Sequence, residues 1–139
     1  MYHTQIFAAI SHDDAIHRLI GYPVEMVESI VPIFRVRDGI AAAKWYSRLG
    51  FAIEAEHRFA PDLPLYLFLV SGDSRLHLSE HKGDAIAGSL IYLYVDDVDT
   101  VATEFGVPAR QQPWGKEVSL SDPDGNRLRV GQRRDTGVQ

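Results

Sequence analysis

The sequence predicts an α+β fold of two tandem βαβββ modules, with helices on one face of a largely antiparallel sheet. The first observation is an internal repeat, because an apolar strand-like segment that ends at Asp38 recurs with its end at Asp97. The second is that each repeat continues as a helix-like stretch, ending at Gly50 and at Gly106. The third is the period-two alternation of the segments that follow. A nearly constant offset between such signals indicates duplicated structural units.

Composition limits the class of protein. The 139 residues are 45% hydrophobic and 24% charged, which is ordinary for one globular domain. The net charge of −5 argues against a nucleic-acid-binding protein. The absence of cysteine excludes disulfides, thiolate metal sites and a cysteine nucleophile. Because neither a secretory signal nor an apolar run of roughly 20 residues is present, we expect a cytoplasmic protein without membrane contact.

Residues 1–29 stand outside the repeat and form an N-terminal extension. Ser11 and Asp14 have the spacing of a capping box, and Gly21 ends the helix that the following apolar stripe predicts. We expect a short amphipathic helix that packs on the domain or on a second subunit. A metal cluster is the alternative interpretation of His12, Asp13, Asp14 and His17, but helix capping explains the acids more simply.

The first module covers about residues 30–82 of a single domain, residues 30–134. Asp38 is the expected N-cap of a helix over 39–49 that ends at Gly50. Four residues fall on one face of this helix: Ile40, Ala43, Tyr46 and Leu49. Strand-like segments follow at 51–59, 65–70 and 75–80, separated by a proline-rich break and a turn.

The second module covers about residues 89–132 and repeats this order. A strand starts at Leu90, and Asp97 is the expected N-cap of a shorter helix that runs to Phe105. Strand-like residues follow at 107–110 and 116–121. The turn sequence at 122–125, Asp-Pro-Asp-Gly, joins them to a last strand over 126–130.

Alternation divides the strands into two faces. The face predicted to form the core holds Phe34, Val36, Leu76, Leu78, Ile91, Leu93, Val95, Val118, Leu120, Leu128 and Val130. The outer face holds Ile33, Arg35, Arg75, His77, Ser79, Leu90, Tyr92, Tyr94, Glu117, Ser119, Arg127 and Arg129. A solvated sheet surface and a cleft for a planar or charged small molecule both fit that outer composition.

Five segments in this order carry a family resemblance: VPIFRVRD, KWYSRLGF, RLHLSEH, YLYVDDVD and PWGKEVSLSDPDGNRLRV. The chain resembles the glyoxalase/bleomycin-resistance/extradiol-dioxygenase (vicinal oxygen chelate) superfamily, and within it the bleomycin-resistance-type proteins. The resemblance covers residues 31–132. It implies two modules whose sheet curves around a cleft, in a homodimer that builds each cleft from both subunits.

The resemblance also implies where a metal would bind. Metal-dependent members carry one ligand on the first and one on the last strand of each module, and the matching positions are Val31, His77, Leu90 and Arg129. Only His77 can donate to a metal, because two of the others lack a donor atom and a guanidinium has no lone pair to give. A divalent ion needs at least three protein ligands. We therefore expect neither a metal nor another cofactor.

These departures favour a binding protein over an enzyme. The leading hypothesis is a metal-free homodimer that sequesters a bleomycin-like or other aromatic, charged small molecule, as bleomycin-resistance-type members do. The alternative is a glyoxalase-like lyase or isomerase, or a dioxygenase-family enzyme, acting on a small electrophile. A third possibility is an accessory module whose N-terminal helix recruits a partner.

The expected ligand-binding residues are His77, Trp114, Tyr92, Tyr94, Arg129, Glu117, Arg75 and Phe59. Trp114 lies on a predicted loop and could stack on a ring of the ligand. Tyr66 and Phe68 could line the same wall, although an apolar run of this kind is more often core. The arginines favour an anionic ligand, unless they pair with Glu117 and Glu80 across strands.

Overall fold

The structure, a computed structural model, describes Gly21 and residues 24–134. The chain divides into two compact units, Met1–Ile30 and Val31–Gln139. The helix predicted after Ser11 and the alternative metal cluster at residues 12–17 lie outside the described residues. No helix within the described part is long and apolar enough to cross a membrane.

The second unit contains the two predicted βαβββ modules, which are confirmed. Module 1 consists of β1 (Ile33–Arg35), α1 (Gly39–Ser47), β2 (Ala52–His57), β3 (Tyr66–Ser71) and β4 (Ser74–Ser79). Module 2 consists of β5 (Leu90–Tyr94), α2 (Val98–Phe105), β6 (Arg110–Gln112), β7 (Gly115–Ser121) and β8 (Arg127–Arg133). Predicted and observed boundaries differ by one to three residues at most ends.

The strands form two four-stranded sheets, where the sequence predicted one curved sheet. The strand orders are β1-β4-β3-β2 and β5-β8-β7-β6. The first and last strands of each module pair in parallel, and the other neighbours pair antiparallel. The parallel pair arises because a helix carries the chain from one end of the first strand back across the sheet.

Both helices begin in the same way. Asp38 accepts the N–H of Ala41 at 3.1 Å, and Asp97 accepts the N–H of Asp99 at 3.0 Å. A second side chain reaches each first turn from the end of the sheet. Glu80 accepts the N–H of Gly39 at 2.7 Å, and Gln132 plays the same part for α2. Glu80 therefore holds a helix terminus and does not pair with an arginine across strands.

The core lies between each sheet and its helix, as alternation predicts. Eight of the predicted inward residues are buried: Phe34, Val36, Leu76, Leu78, Val118, Leu120, Leu128 and Val130. One detail was wrong. Ile40 is 54% exposed while Ala42 is buried, so α1 is rotated from the expected face. Ser79 lies on the outer face in register with Arg35 and Tyr66, but it is buried there, and its hydroxyl donates to Asp84 at 2.5 Å.

The turn between β7 and β8 joins the modules. The buried carboxylate of Asp122 accepts the hydroxyl of Tyr46 at 2.8 Å and the amide of Asn126 at 3.0 Å. The Asn126 amide also donates to the carbonyl of Arg35 in module 1 at 3.0 Å. Burial, with the adjacent carboxylate, raises the pKa of Tyr46 far above its ordinary value. The turn therefore acts as a polar lock between the modules.

Candidate functional site

The outer faces of the two sheets have matching register rows. In module 1 the central row is Ile33, His77 and Phe68 on adjacent strands. Directly cross-strand residues point to the same side of a sheet, so these side chains lie together. We call this surface, with Tyr66 beside it, face 1.

His77 lies among aromatic rings on face 1. Its Nδ1 is 2.8 Å from the hydroxyl of Tyr66, and its ring centroid is 4.6 Å from that of Phe68. Burial lowers the pKa of His77, against the opposing effect of Glu54. The imidazole is therefore neutral at pH 7, and it can exchange a hydrogen bond but carries no charge toward a ligand.

A hollow of about 530 Å³ opens beside these rings. It is lined by His57, Phe59, Tyr66, Phe68, His81 and Asp84. Phe59 is 75% exposed and meets the ring of His57 edge-on at 4.4 Å. The sequence did not decide whether Tyr66 and Phe68 line the site or belong to the core. Both are half-buried on face 1, whereas Leu65, Leu67 and Leu69 are buried in the core.

Arg75 also lies on face 1, where it already has a partner. Its Nε is 3.0 Å from a carboxylate oxygen of Glu54. Glu117 and Glu80 were the expected partners of Arg75, but Glu54 takes that place from β2, on the far side of β3. The charge of Arg75 is therefore largely neutralised before any ligand arrives.

Module 2 presents two rows, which together form face 2. One row is Tyr92, Arg129 and Ser119, and the other is Tyr94, Gly131, Glu117 and Arg110. Tyr92 and Tyr94 have ring centroids 5.0 Å apart. Their exposed fractions, 40% and 50%, are large for aromatic side chains.

Glu117 is the hydrogen-bonding centre of face 2. Its Oε2 accepts the hydroxyl of Tyr92 at 2.5 Å and the indole N–H of Trp114 at 2.6 Å. These bonds lower the pKa of Glu117, so the group is a carboxylate at neutral pH. Desolvation and the bond to this carboxylate raise the pKa of Tyr92 to about 12. The shared acceptor fixes both rings in a wall.

Gly131 makes the bond between Tyr92 and Glu117 possible. The glycine lies between Tyr94 and Glu117 in its row, and the Tyr92 side chain crosses directly above it. A Cβ at this position would lie 2.8 Å from Cζ of Tyr92 and overlap its hydroxyl oxygen. Gly131 was not among the residues predicted for the site. A glycine inside a β-strand, which often indicates close approach of another group, was the available signal.

Four arginines surround this wall: Arg110, Arg127, Arg129 and Arg133. The guanidinium of Arg133 lies over the ring of Tyr94 at 4.0 Å. Arg110 and Glu117 help to line a second hollow of about 400 Å³, with Val107, Pro108, Gln112 and Ser119. Face 2 is thus aromatic and strongly cationic.

The structure groups the eight expected site residues into two sets. Tyr92, Tyr94, Trp114, Glu117 and Arg129 come together on face 2, whereas His77, Arg75 and Phe59 belong to face 1. Residues of module 1 and of the connection after it line the hollow of about 530 Å³, and residues of module 2 line that of about 400 Å³.

The donor set does not fit the metal site of metal-dependent relatives. Opposite His77 in the parallel register is Ile33, and opposite Arg129 is Tyr92. Ile33 and Tyr92 lie two residues after Val31 and Leu90, and therefore on the same faces. They add one possible donor, the neutral phenol of Tyr92. Within residues 24–134, no three His, Cys, Asp or Glu side chains come close enough to hold an ion. The four family positions offer one imidazole, that of His77, which is too few for a divalent ion.

Comparisons with known proteins agree with this architecture. A family model described as "Glyoxalase superfamily protein" matches residues 18–137. A bleomycin-binding protein solved with bleomycin is 26% identical, with a TM-score of 0.59, covering 78% of this chain and 100% of that one. TnmS3, an antibiotic-binding protein from Streptomyces sp. CB03234, is also 26% identical, with a TM-score of 0.58 and coverage of 79% and 100%.

A lactoylglutathione lyase from Agrobacterium tumefaciens is 21% identical, with a TM-score of 0.57. The match covers 77% of this chain and 95% of the lyase chain. At that identity the likeness concerns the fold alone. No curated protein sequence matches this chain.

Proposed function

This chain belongs to the glyoxalase superfamily, and we propose that it is a metal-free binding protein that sequesters a bleomycin-like or other aromatic, charged small molecule. The observation that carries the proposal is the wall of Tyr92 and Trp114, both bonded to Glu117. Such a wall fixes aromatic surfaces for stacking, which is what a planar ligand requires.

Exposure supports a stacking role for these rings. Trp114 remains 57% exposed although its indole N–H is already bonded. A large aromatic side chain held rigidly in water loses little conformational entropy when a ligand covers it. The wall is therefore preorganised, and stacking on it should contribute most of the binding free energy.

We further propose that the chain is a homodimer in which face 1 of one protomer and face 2 of its partner enclose each cleft. Each hollow is open, and its lining residues come from one module or the connection that follows it. Apolar side chains on both faces are also left exposed, Ile33 at 39% and Leu90 at 42%. Light scattering on the eluting protein would test this, with twice the chain mass as the expected result and the chain mass as the contradiction.

Sequestration of this kind needs no Lewis acid. His77 is neutral and its partner Ile33 has no donor atom, so the cleft retains shape and stacking surface without a metal. We propose that the protein acts in the cytoplasm, where it would bind the compound before it reaches its target. Expression in drug-sensitive cells would test protection directly.

Calorimetric titration of EDTA-treated protein with metal-free bleomycin tests the binding proposal. We expect saturable binding with one ligand per cleft. Trp114→Ala should weaken it about tenfold, since stacking on one aromatic ring is worth roughly 1 to 1.5 kcal/mol. The matched control is Ile40→Ala, which removes an exposed apolar side chain from α1, on the side of the sheet opposite face 1, and should leave affinity unchanged.

No heat of binding, together with no protection of cells, would remove the bleomycin-type ligand. The enzymatic alternative rests on a single feature, the hydrogen bond between His77 and Tyr66 that could carry a proton to or from a substrate. Turnover of a small electrophile by EDTA-treated protein, abolished by His77→Gln, would favour it. Stoichiometric metal retained after purification would contradict the argument from the donor set.

A further inference from the structure

We propose that face 2 selects the anionic group of an aromatic ligand, so the preferred ligand is a planar carboxylate, sulfonate or phenolate rather than a cation. This inference rests on the proposed binding function and adds the sign of the ligand's charge. It follows from the arginines of face 2, from what Glu117 already binds and from the charge of the whole chain.

Three arginines of face 2 form no direct contact with a carboxylate in the described part of the chain. Within residues 24–134, no hydrogen bond or ion pair engages the guanidinium groups of Arg110, Arg127 or Arg129, although the charge of Arg129 acts on Glu117 without forming an ion pair. Three arginines elsewhere in the described part form ion pairs, as Arg48 does with Glu104 at 2.9 Å and Arg75 with Glu54 at 3.0 Å. Unpaired guanidinium groups on one side of a sheet offer planar, two-pronged donors to an oxyanion.

Glu117 does not reverse this charge. It is the single acidic residue within strands β5–β8, against the four arginines on the same side. Its Oε2 already accepts two short hydrogen bonds, from Tyr92 and Trp114. A cationic ligand would have to compete for this acceptor and then approach the guanidinium of Arg129, which acts on Glu117 electrostatically. An anion meets neither obstacle.

The geometry places charge and aromatic surface together. Arg129 lies in the register row of Tyr92, next to the wall. Arg110 lies opposite Glu117 at the hollow of about 400 Å³. An aromatic anion can therefore stack its ring on the wall while its oxygens reach a guanidinium.

The net charge of the chain makes this patch unusual. The protein carries −5 overall, yet this face gathers four cations around one acid. General solubility does not require cations to be concentrated beside exposed tyrosines. A local positive potential on an acidic protein attracts anions and repels cations at the point of entry.

Two probes with one ring system and opposite charge test the inference: 2-naphthoate and 2-naphthylmethylammonium, titrated calorimetrically into the full chain at low and high salt. We expect 2-naphthoate to bind about tenfold more tightly than 2-naphthylmethylammonium, or more. A tenfold ratio in affinity corresponds to roughly one charge-assisted hydrogen bond. Its affinity should fall with salt. Arg129→Gln should weaken 2-naphthoate about tenfold and leave the ammonium probe unchanged or slightly stronger.

Arg58→Gln is the matched control, since it removes one arginine charge from the β2–β3 loop, where Arg58 donates to the carbonyl of Leu63. It should change neither affinity. Equal or tighter binding of the ammonium probe would overturn the inference, as would equal effects of the two substitutions. If bleomycin binds while 2-naphthoate does not, the anion preference fails and the binding function stands. If neither binds, both fail.

Discussion

Faces 1 and 2 occupy corresponding positions in two copies of one scaffold, but their chemistry differs. The row Ile33, His77, Phe68 in module 1 corresponds to Tyr92, Arg129, Ser119 in module 2. Face 1 is aromatic and holds two arginines, Arg35 in the row of Tyr66 and Arg75 paired with Glu54. Face 2 holds four arginines, and within residues 24–134 no ion pair engages any of them. The helix caps at Asp38 and Asp97 are the same in both modules. What is repeated serves folding, and what differs is available for recognition.

The largest effect should come from breaking the lock that joins the modules. Asp122→Ala removes a buried carboxylate and leaves the hydroxyl of Tyr46 and the amide of Asn126 without their acceptor. We expect a loss of about 3 kcal/mol in the free energy of unfolding, measured with urea. The control Asp99→Ala breaks an exposed pair with Lys116 and should cost about 0.5 kcal/mol or less. Equal losses would contradict the lock.

The next largest effect concerns Gly131, which lets the Tyr92 ring on face 2 cross the strand to Glu117. Gly131→Ala places a methyl group against the Tyr92 ring and should break its bond to Glu117. We expect ligand affinity to fall about tenfold and stability by about 1 to 2 kcal/mol. Gly83→Ala is the control, because a Cβ there meets no atom within 4 Å. If the two alanine variants bind alike, the position of Tyr92 does not matter.

The sequence predicted the repeated part of the molecule better than the part that differs. Asp38, Asp97 and the alternating strands encode local structure, and local rules identify them. The pairing of Arg75 with Glu54 depends on the order of the strands in the sheet of module 1, and alternation along one strand does not specify that order. Gly131 matters only because a side chain two residues away on the next strand crosses it. The division into two sheets likewise depends on long-range pairing.

A smaller effect on stability is expected at alkaline pH, from the phenol of Tyr92 on face 2. The raised pKa of Tyr92, about 12 against an ordinary 10.0, means that the folded state favours the neutral phenol. The stability it contributes is therefore complete below about pH 10 and is lost as pH rises toward 12. Ring carbon shifts assigned to Tyr92 should show this tyrosine titrating at about pH 12. Glu117→Gln should return that titration toward 10; an unchanged midpoint would show that the carboxylate is not its cause.

The smallest effect on stability is expected at acidic pH, from the imidazole of His77 on face 1. Because burial lowers the pKa of His77 below 6.5, the folded state binds its proton less readily than the unfolded chain. The resulting stability is present above pH 6.5 and is lost as pH falls through the folded pKa. NMR titration of the imidazole should give a midpoint below 6.5, and His77→Gln should flatten urea stability over this window. A midpoint above 6.5 would contradict the burial.

The proposed function requires both faces to form one metal-free ligand site. This can be tested by following the backbone amide shifts of EDTA-treated protein during titration with an aromatic ligand. We expect shifts along β3 and β4 of module 1 and along β5, β7 and β8 of module 2, with the Trp114 indole among the largest. Shifts confined to one module, or binding that appears only when a divalent metal is added, would contradict it.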